Sequence, residues 1–204
     1  THRQPSFVLH VITTAKAMSE TELRNHIEGC KRQNRSSQKW LFDRYYRLMF
    51  GICLRYASDQ DAAQDIVQEG YLKVFNNIEG YTSKGSFEGW MRRIMVNTAI
   101  DAIRRNKASG WILADENAMD LLANEVVIEE DDTELDFTVH DVLEAMEHLS
   151  PVYRTVFNLA VFENMGHQEI ASQLEISVGS SKSNLAKARR NMRSILMKSR
   201  VSNG

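Results

Sequence analysis

The chain has 204 residues, 43% of them apolar, which is enough for one medium domain or two small cores, and its formal net charge is −2. Two cysteines, Cys30 and Cys53, make neither a disulfide framework nor a zinc pattern, and no apolar run approaches the roughly 20 residues that cross a bilayer. The small net charge conceals segregation: no Lys or Arg occurs between Lys107 and Arg154, an interval with thirteen acidic residues, so the basic blocks elsewhere suit a polyanionic partner.

Near the start, FVLHVITTAKA faintly imitates a signal peptide, but His10, Thr13 and Thr14 interrupt its short core. The expectation is a cytoplasmic protein whose residues 1–17 form a disordered extension. Met18 opens MSETELRNHIEGC, read as a capped amphipathic helix. His26 and Cys30 share a face there at i, i+4, as metal ligands can, but no second pair accompanies them, so no metal and no cofactor is expected. From Trp40 to Tyr56, WLFDRYYRLMFGICLRY is apolar nearly all round and predicts a helix buried on several sides. Next, Ala63, Ile66, Val67, Tyr71, Val74, Phe75 and Ile78 recur at three and four residues as one helix stripe, with Asp61, Asp65, Gln68, Glu69 and Lys73 opposite.

EGYTSKGS supplies a polar loop with Gly80 and Gly85, after which FEGWMRRIMVNTAIDAIRRNK resumes helix to about Lys107. Phe87, Met91, Ile94, Thr98 and Ala102 can face inward. Trp90, Asn97 and Asp101 line another face, with the pairs Arg92–Arg93 and Arg104–Arg105 nearby. Residues 108–138, with IEEDDTELD at their centre, read as an acidic linker, partly helical around Leu121 and Val127. Ser150-Pro151 then looks like an N-cap followed by proline at the first helical position, starting PVYRTVFNLAVFENM. No β pattern competes, so the predicted fold is all-α: two small helical domains joined by an acidic linker, the second with a helix-turn-helix.

That unit is EIASQLEISVGSSKSNLAKARRNMR. Ile170, Ala171 and Leu174 give its first helix an apolar side, Ile176 anchors the turn, and Ser177 caps a second helix from Val178. Seven residues from Lys182 to Arg200 are Lys or Arg and none is acidic, a run suited to phosphate, although a solvated basic face is the plainer alternative. In a docked helix-turn-helix, Ser180, Ser181, Lys182, Ser183, Asn184 and Lys187 meet base edges, and Arg189, Arg190 and Arg193 hold phosphates.

DAAQDIVQEGYLKVFNNIEGY, SFEGWMRRIMVNTAIDAIRRNK and LSPVYRTVFNLAVFENMGHQEIASQLEISVGSSKSNLAKARRNMR together resemble the extracytoplasmic-function sigma factors of bacterial RNA polymerase. The resemblance implies a domain 2 over 18–107, a domain 4 over 139–200 and a tail at 201–204. It assigns Asp61, Asp65, Gln68 and Glu69 to the helix that docks on the coiled coil of the polymerase β′ subunit. It assigns Lys84, Ser86, Phe87, Trp90, Arg92, Arg93, Asn97, Asp101, Arg104 and Arg105 to recognition and melting of the minus-ten promoter element, with the loop Ser83–Ser86 capturing a flipped base. Lys182, Ser183 and Lys187 match positions that read the minus-thirty-five element.

Two residues depart from the family pattern. Glu175 stands at a turn position usually held by Gly, and Ser181 stands where an apolar residue commonly packs, so its hydroxyl needs a partner such as a carbonyl one turn back. The acidic linker reads either as a segment following the RNA channel of polymerase or as a solubilising tether. The implied partners are core polymerase through β′ and β, promoter DNA and an anti-sigma factor, with no membrane insertion of the chain itself. No glycine-rich phosphate loop, metal cluster or nucleophile triad is present, so no enzymatic activity is expected. A stand-alone helix-turn-helix regulator and a sigma-fold adaptor, recruiting polymerase to DNA chosen by another protein, are the competing readings.

Overall fold

The computed structural model describes residues 19–108 and 138–202; the expectations for residues 1–17 and for the linker at 109–137 lie outside the described residues. Packing divides the chain into two units, residues 1–101 and 102–204. All the regular elements among the described residues are helical.

The first unit holds α1 (Glu20–Lys31), α2 (Arg35–Leu54), α3 (Gln60–Asn76), a 3₁₀ turn (Ile78–Gly80) and most of α4 (Phe87–Ala108). Glu20 and Glu22 in the first turn of α1 and Lys31 in its last complement the helix dipole. Ser19 sits at the N-cap but, against expectation, its side chain makes no cap hydrogen bond; its carbonyl accepts from the Glu22 and Leu23 amides instead. α2 starts at Arg35, five residues ahead of the apolar run. Asn34 is the reason: its Oδ1 accepts the Ser37 amide at 3.0 Å and caps the helix ahead of its apolar stripe. α2 buries Leu41, Tyr45, Met49, Ile52 and Cys53 and leaves Arg47, Leu48 and Gly51 exposed.

On α3, Asp59 caps the helix by accepting the Ala62 amide at 2.8 Å, and Ala63, Ile66, Val67, Tyr71 and Val74 are buried as the periodicity requires. Phe75 is half-buried, and Ile78 enters the core from the 3₁₀ turn. α4 buries Phe87, Met91 and Thr98. Ile94 and Ala102 are only half-buried, and Met95, Val96, Ala99 and Ile100 complete the inward face, which is rotated from the one the sequence suggested.

Two close crossings depend on glycine. A Cβ at Gly29 on α1 would overlap Ser37 Oγ and stand 2.8 Å from Ser37 Cβ on α2; a Cβ at Gly70 on α3 would overlap Met95 Sδ on α4. The His26 ring stacks on Trp40 at 4.1 Å, and its Nδ1 lies 3.4 Å from Ser37 Oγ. Among the described residues no group of three or more His, Cys, Asp or Glu side chains is placed to hold a metal ion. Burial pushes the Cys30 thiol up to about 11; it pushes Cys53 up to about 12, against the opposing pull of Arg55.

The second unit holds α5 (Val139–Glu147), α6 (Pro151–Phe157), a π-helical turn (Asn158–Phe162), α7 (His167–Leu174) and α8 (Val178–Ser202). Thr138 and Asp141 form a reciprocal capping box on α5. Ser150 Oγ accepts the Tyr153 amide at 3.4 Å with Pro151 following, the predicted start of α6. The predicted continuous helix through Met165 is interrupted: the Glu163 amide bonds back to Asn158 at 3.1 Å, and Asn164 turns left-handed at φ 53°. Leu149, Tyr153, Val156, Leu159, Ile170, Leu185, Ala188, Met192 and Leu196 form the core of this unit. Among the described residues no helix is long and apolar enough to cross a membrane.

Gly29→Ala overpacks the α1–α2 crossing and is expected to lower unfolding free energy by about 1–3 kcal/mol, read by urea titration. Because both thiol pKa values are raised, the neutral thiols favour the fold: that stability is intact below the ordinary thiol value of about 8.5 and falls as pH climbs toward 11–12. Alkylation at pH 8 is therefore expected to leave both cysteines unmodified in native protein and to label both in urea, as mass spectrometry would record.

Candidate nucleic-acid interface

At roughly 100° per residue, Trp90, Arg93, Asn97, Asp101 and Arg104 fall within about 80° of one another around α4. Arg93 and Asn97 are exposed, and Trp90 is half-exposed. Trp90 rests on a platform: its ring centroid lies 5.5 Å from both Phe87 and Tyr81, and Phe87 in turn meets Tyr81 at 5.1 Å and Tyr45 at 5.9 Å. The platform extends into the preceding loop, where the Tyr81 hydroxyl donates to the Gly85 carbonyl at 2.9 Å. Ser83 (φ 59°) and Gly85 (φ 106°) carry the loop through left-handed backbone, and Lys84 is exposed at its tip.

α3 presents a second stripe. Asp61, Asp65 and Gln68 are exposed along one line, and Leu72 continues it at 65% exposure. Glu69 lies beside this line, half-buried, with its carboxylate 3.0 Å from Lys73 Nζ; Lys73 also donates to Asp101 on α4 at 3.0 Å. Burial lowers the Lys73 pKa, but the hydrogen bonds to Asp101 and Glu69 outweigh it and the net shift is upward, so the ammonium is held charged.

In the second unit, α7 and α8 form a helix-turn-helix. Ile170, Ala171 and Leu174 are buried, and Ser177 caps α8 by accepting the Ser180 amide at 2.9 Å. Glu175 ends α7 with φ 54° and ψ 46°, so the backbone is left-handed where the sequence lacks glycine. Along α8 the inward line runs Ser181, Leu185, Ala188, Met192 and Leu196. Its outward face is centred on Gly179, Ser183, Ala186 and Arg190, all exposed, with Lys182 and Arg189 to one side and Lys187 to the other. Gly179, Ser183 and Ala186 along the early part of that centre allow close approach to a groove, where the flanking Lys182 and Lys187 can reach base edges, and Arg189 and Arg190 further along suit phosphates.

Residues 41–109 match the family model Sigma-70 region 2, and residues 140–192 match Sigma-70, region 4. The chain is 30% identical over 158 residues to RNA polymerase sigma factor SigV of Bacillus subtilis, covering 78% of this chain and 87% of that one. The chain belongs to the extracytoplasmic-function sigma factors. It is also 29% identical over 158 residues to the ECF RNA polymerase sigma factor SigE of Mycolicibacterium smegmatis, covering 76% of this chain but 58% of that relative's length. A solved structure of the sigma factor RpoE with the anti-sigma factor NepR from Bartonella quintana aligns with a TM-score of 0.46 at 18% identity, covering 78% of this chain and 96% of that one. The protein is thus a sigma factor directing promoter-specific transcription initiation.

Four of the residues expected to contact promoter DNA in this sigma factor are placed otherwise. Phe87 is buried as the foundation of the aromatic platform. Arg92 lies roughly 160° around α4 from Trp90, because adjacent positions on a helix do not share a face. Ser181 and Asn184 are both buried on the inward side of α8, since they fall in register with Leu185 and Ala188. Ser86 remains exposed, but its hydroxyl accepts the Gly89 amide at 3.0 Å and serves as the cap of α4. Asp101 is bound to Lys73, whereas Arg105 is exposed. Lys182, Ser183, Arg189 and Arg190 are exposed and Lys187 is half-exposed, while Ser180 is exposed beside its partner Ser177. Leu72 and Tyr81 were missed: an apolar residue inside an acidic stripe signals an anchor, but nothing in the sequence reveals the hydroxyl contact across the loop.

Glu175→Gly removes a left-handed non-glycine residue and is expected to stabilise the second unit by about 1 kcal/mol, visible as a higher thermal midpoint.

Proposed function

We propose that this sigma factor engages core polymerase through the Asp61–Asp65–Gln68–Leu72 stripe on the β′ subunit, opens the minus-ten element with α4 and reads the minus-thirty-five element with α8. The observation that carries the reading is the α4 face: a half-exposed indole held by two aromatic rings, Phe87 and Tyr81, with an exposed amide and guanidinium at helical spacing beside it. Opening a duplex requires an unstacked base to be met by a π surface and by groups that pair with its edge. Trp90 supplies the surface, Asn97 the hydrogen-bonding edge, and Arg93 with Arg105 the charge for the single-strand backbone. Lys84 and the loop fixed by Tyr81 stand where a flipped base would be held.

The acidic stripe steers docking on a basic coiled coil, and Leu72 adds the apolar contact that charge alone lacks. On α8, Lys182, Ser183 and Lys187 address base edges while Arg189 and Arg190 neutralise phosphates. In this reading residues 18–107 form the polymerase-binding and melting domain, 139–200 the upstream reader, 108–138 the linker and 201–204 a tail. The factor works in the cytoplasm, contacts β as well as β′, is held in check by an anti-sigma partner, and leaves phosphodiester chemistry to polymerase.

Run-off transcription with core polymerase on a pool of random promoters tests the assignments. Wild type is expected to select a two-block consensus; Asn97→Ala erodes the downstream block and Lys182→Ala the upstream one, each by about tenfold, as expected for base contacts of about 1–3 kcal/mol. Core binding without promoter selection would instead establish an adaptor. Leu72→Ala is expected to weaken core binding by about 1–2 kcal/mol, measured by competition against a labelled sigma factor.

A further inference from the structure

Ser181 is an anomaly within the inward line of α8. It is 0% exposed, among Leu185, Ala188, Met192 and Leu196, so its hydroxyl has lost water and requires a partner in the protein. The partner is not a carbonyl one turn back. Ser181 Oγ lies 3.0 Å from Nδ1 of His167, the first residue of α7, while the Ser181 amide keeps its helical bond to the Ser177 carbonyl at 3.0 Å. Whichever of the two carries the proton, one side chain joins the start of the first helix to the second turn of the next.

We propose that His167 and Ser181 are a positioning pair for upstream-element recognition, fixing the rotation of α8 against α7 and thereby where Lys182 and Ser183 meet the bases. The inference rests on the reading of α8 as the upstream reader. An apolar contact at this position would tolerate sliding, whereas a hydrogen bond weakens steeply away from its line. The exposed Lys182 and Ser183 follow Ser181 directly in the chain. A rotation of about 15° about an axis some 5–6 Å away moves a side-chain tip by about 1–2 Å, enough to break base-edge geometry. The turn joining the helices consists of the left-handed Glu175, Ile176, whose amide bonds to the Ala171 carbonyl at 3.0 Å, and the capping Ser177; the His167–Ser181 contact ties the helices a second time, through side chains.

The test uses full-length protein with core polymerase on templates whose upstream segment is random and whose downstream element is fixed. Ser181→Ala removes the hydroxyl. His167→Asn keeps a polar atom near the Nδ1 position, whereas His167→Gln moves it toward the Nε2 position. Wild type and His167→Asn are expected to enrich the same upstream block. Ser181→Ala and His167→Gln should flatten that block at least fivefold, with transcription from a pre-opened template lacking the upstream element changed less than twofold. If both flattened variants instead retain the wild-type block, whatever their melting temperatures, the pair is only structural and the proposal falls. Equal behaviour of His167→Asn and His167→Gln also overturns it, and this comparison decides the matter should Ser181→Ala fail to fold. A wild-type protein that enriches no upstream block overturns the reading of α8 itself, an outcome visible before any variant is examined.

Discussion

The aromatic contact around Phe87 governs what the first unit can display. Burying that ring against Tyr45 fixes the entry of α4 into the core, and once the first turn is fixed the helical repeat dictates which later residues emerge. Trp90 lies one turn further on and can stay half-exposed because Phe87 and Tyr81 hold its sides. An indole without such support would collapse into the nearest apolar surface or swing between rotamers. The same contact therefore provides both a folding anchor and a rigid outward surface, which is what a base-capturing site requires.

The second unit solves a different problem with fewer residues. Its helix-turn-helix lacks glycine at the turn and an apolar residue on the inner line of α8, and both departures are accommodated locally. Glu175 takes the left-handed conformation at a cost that the buried Ile170, Ala171 and Leu174 offset. Ser181 is satisfied by His167 across the two helices. Directional polar contacts inside a small core narrow the set of allowed packings more than they add to stability.

The sequence was most informative where signals are local. Ser150 with Pro151, Ser177 before Val178, and the stripe from Ala63 to Val74 were all legible because caps and helical periodicity depend on neighbours a few residues away. Together with the family resemblance they determined the all-α class and the helix-turn-helix. Residue-level facing was harder. Ser181 and Asn184 looked like DNA contacts because they are polar, yet register places them inside, and only a partner distant in sequence explains how Ser181 can stay there. Phe87 was read as a DNA contact although its periodicity already marked it as core. Leu72 went unnoticed for the opposite reason: it belongs neither to the inward stripe nor, being apolar, to the charged residues opposite, yet it is 65% exposed.

The π-helical turn at Asn158–Phe162 bears on how relatives are compared. Closing a ring from Glu163 back to Asn158 accommodates one residue more than an α-helical turn holds. The widened turn closes its helix rather than continuing it: Glu163 and the left-handed Asn164 follow at once, and α7 starts afresh at His167. A homologue with one residue fewer there would lose length only at a helix end, so a gap placed in the loop would leave the inward and outward faces of α7 and α8 in register.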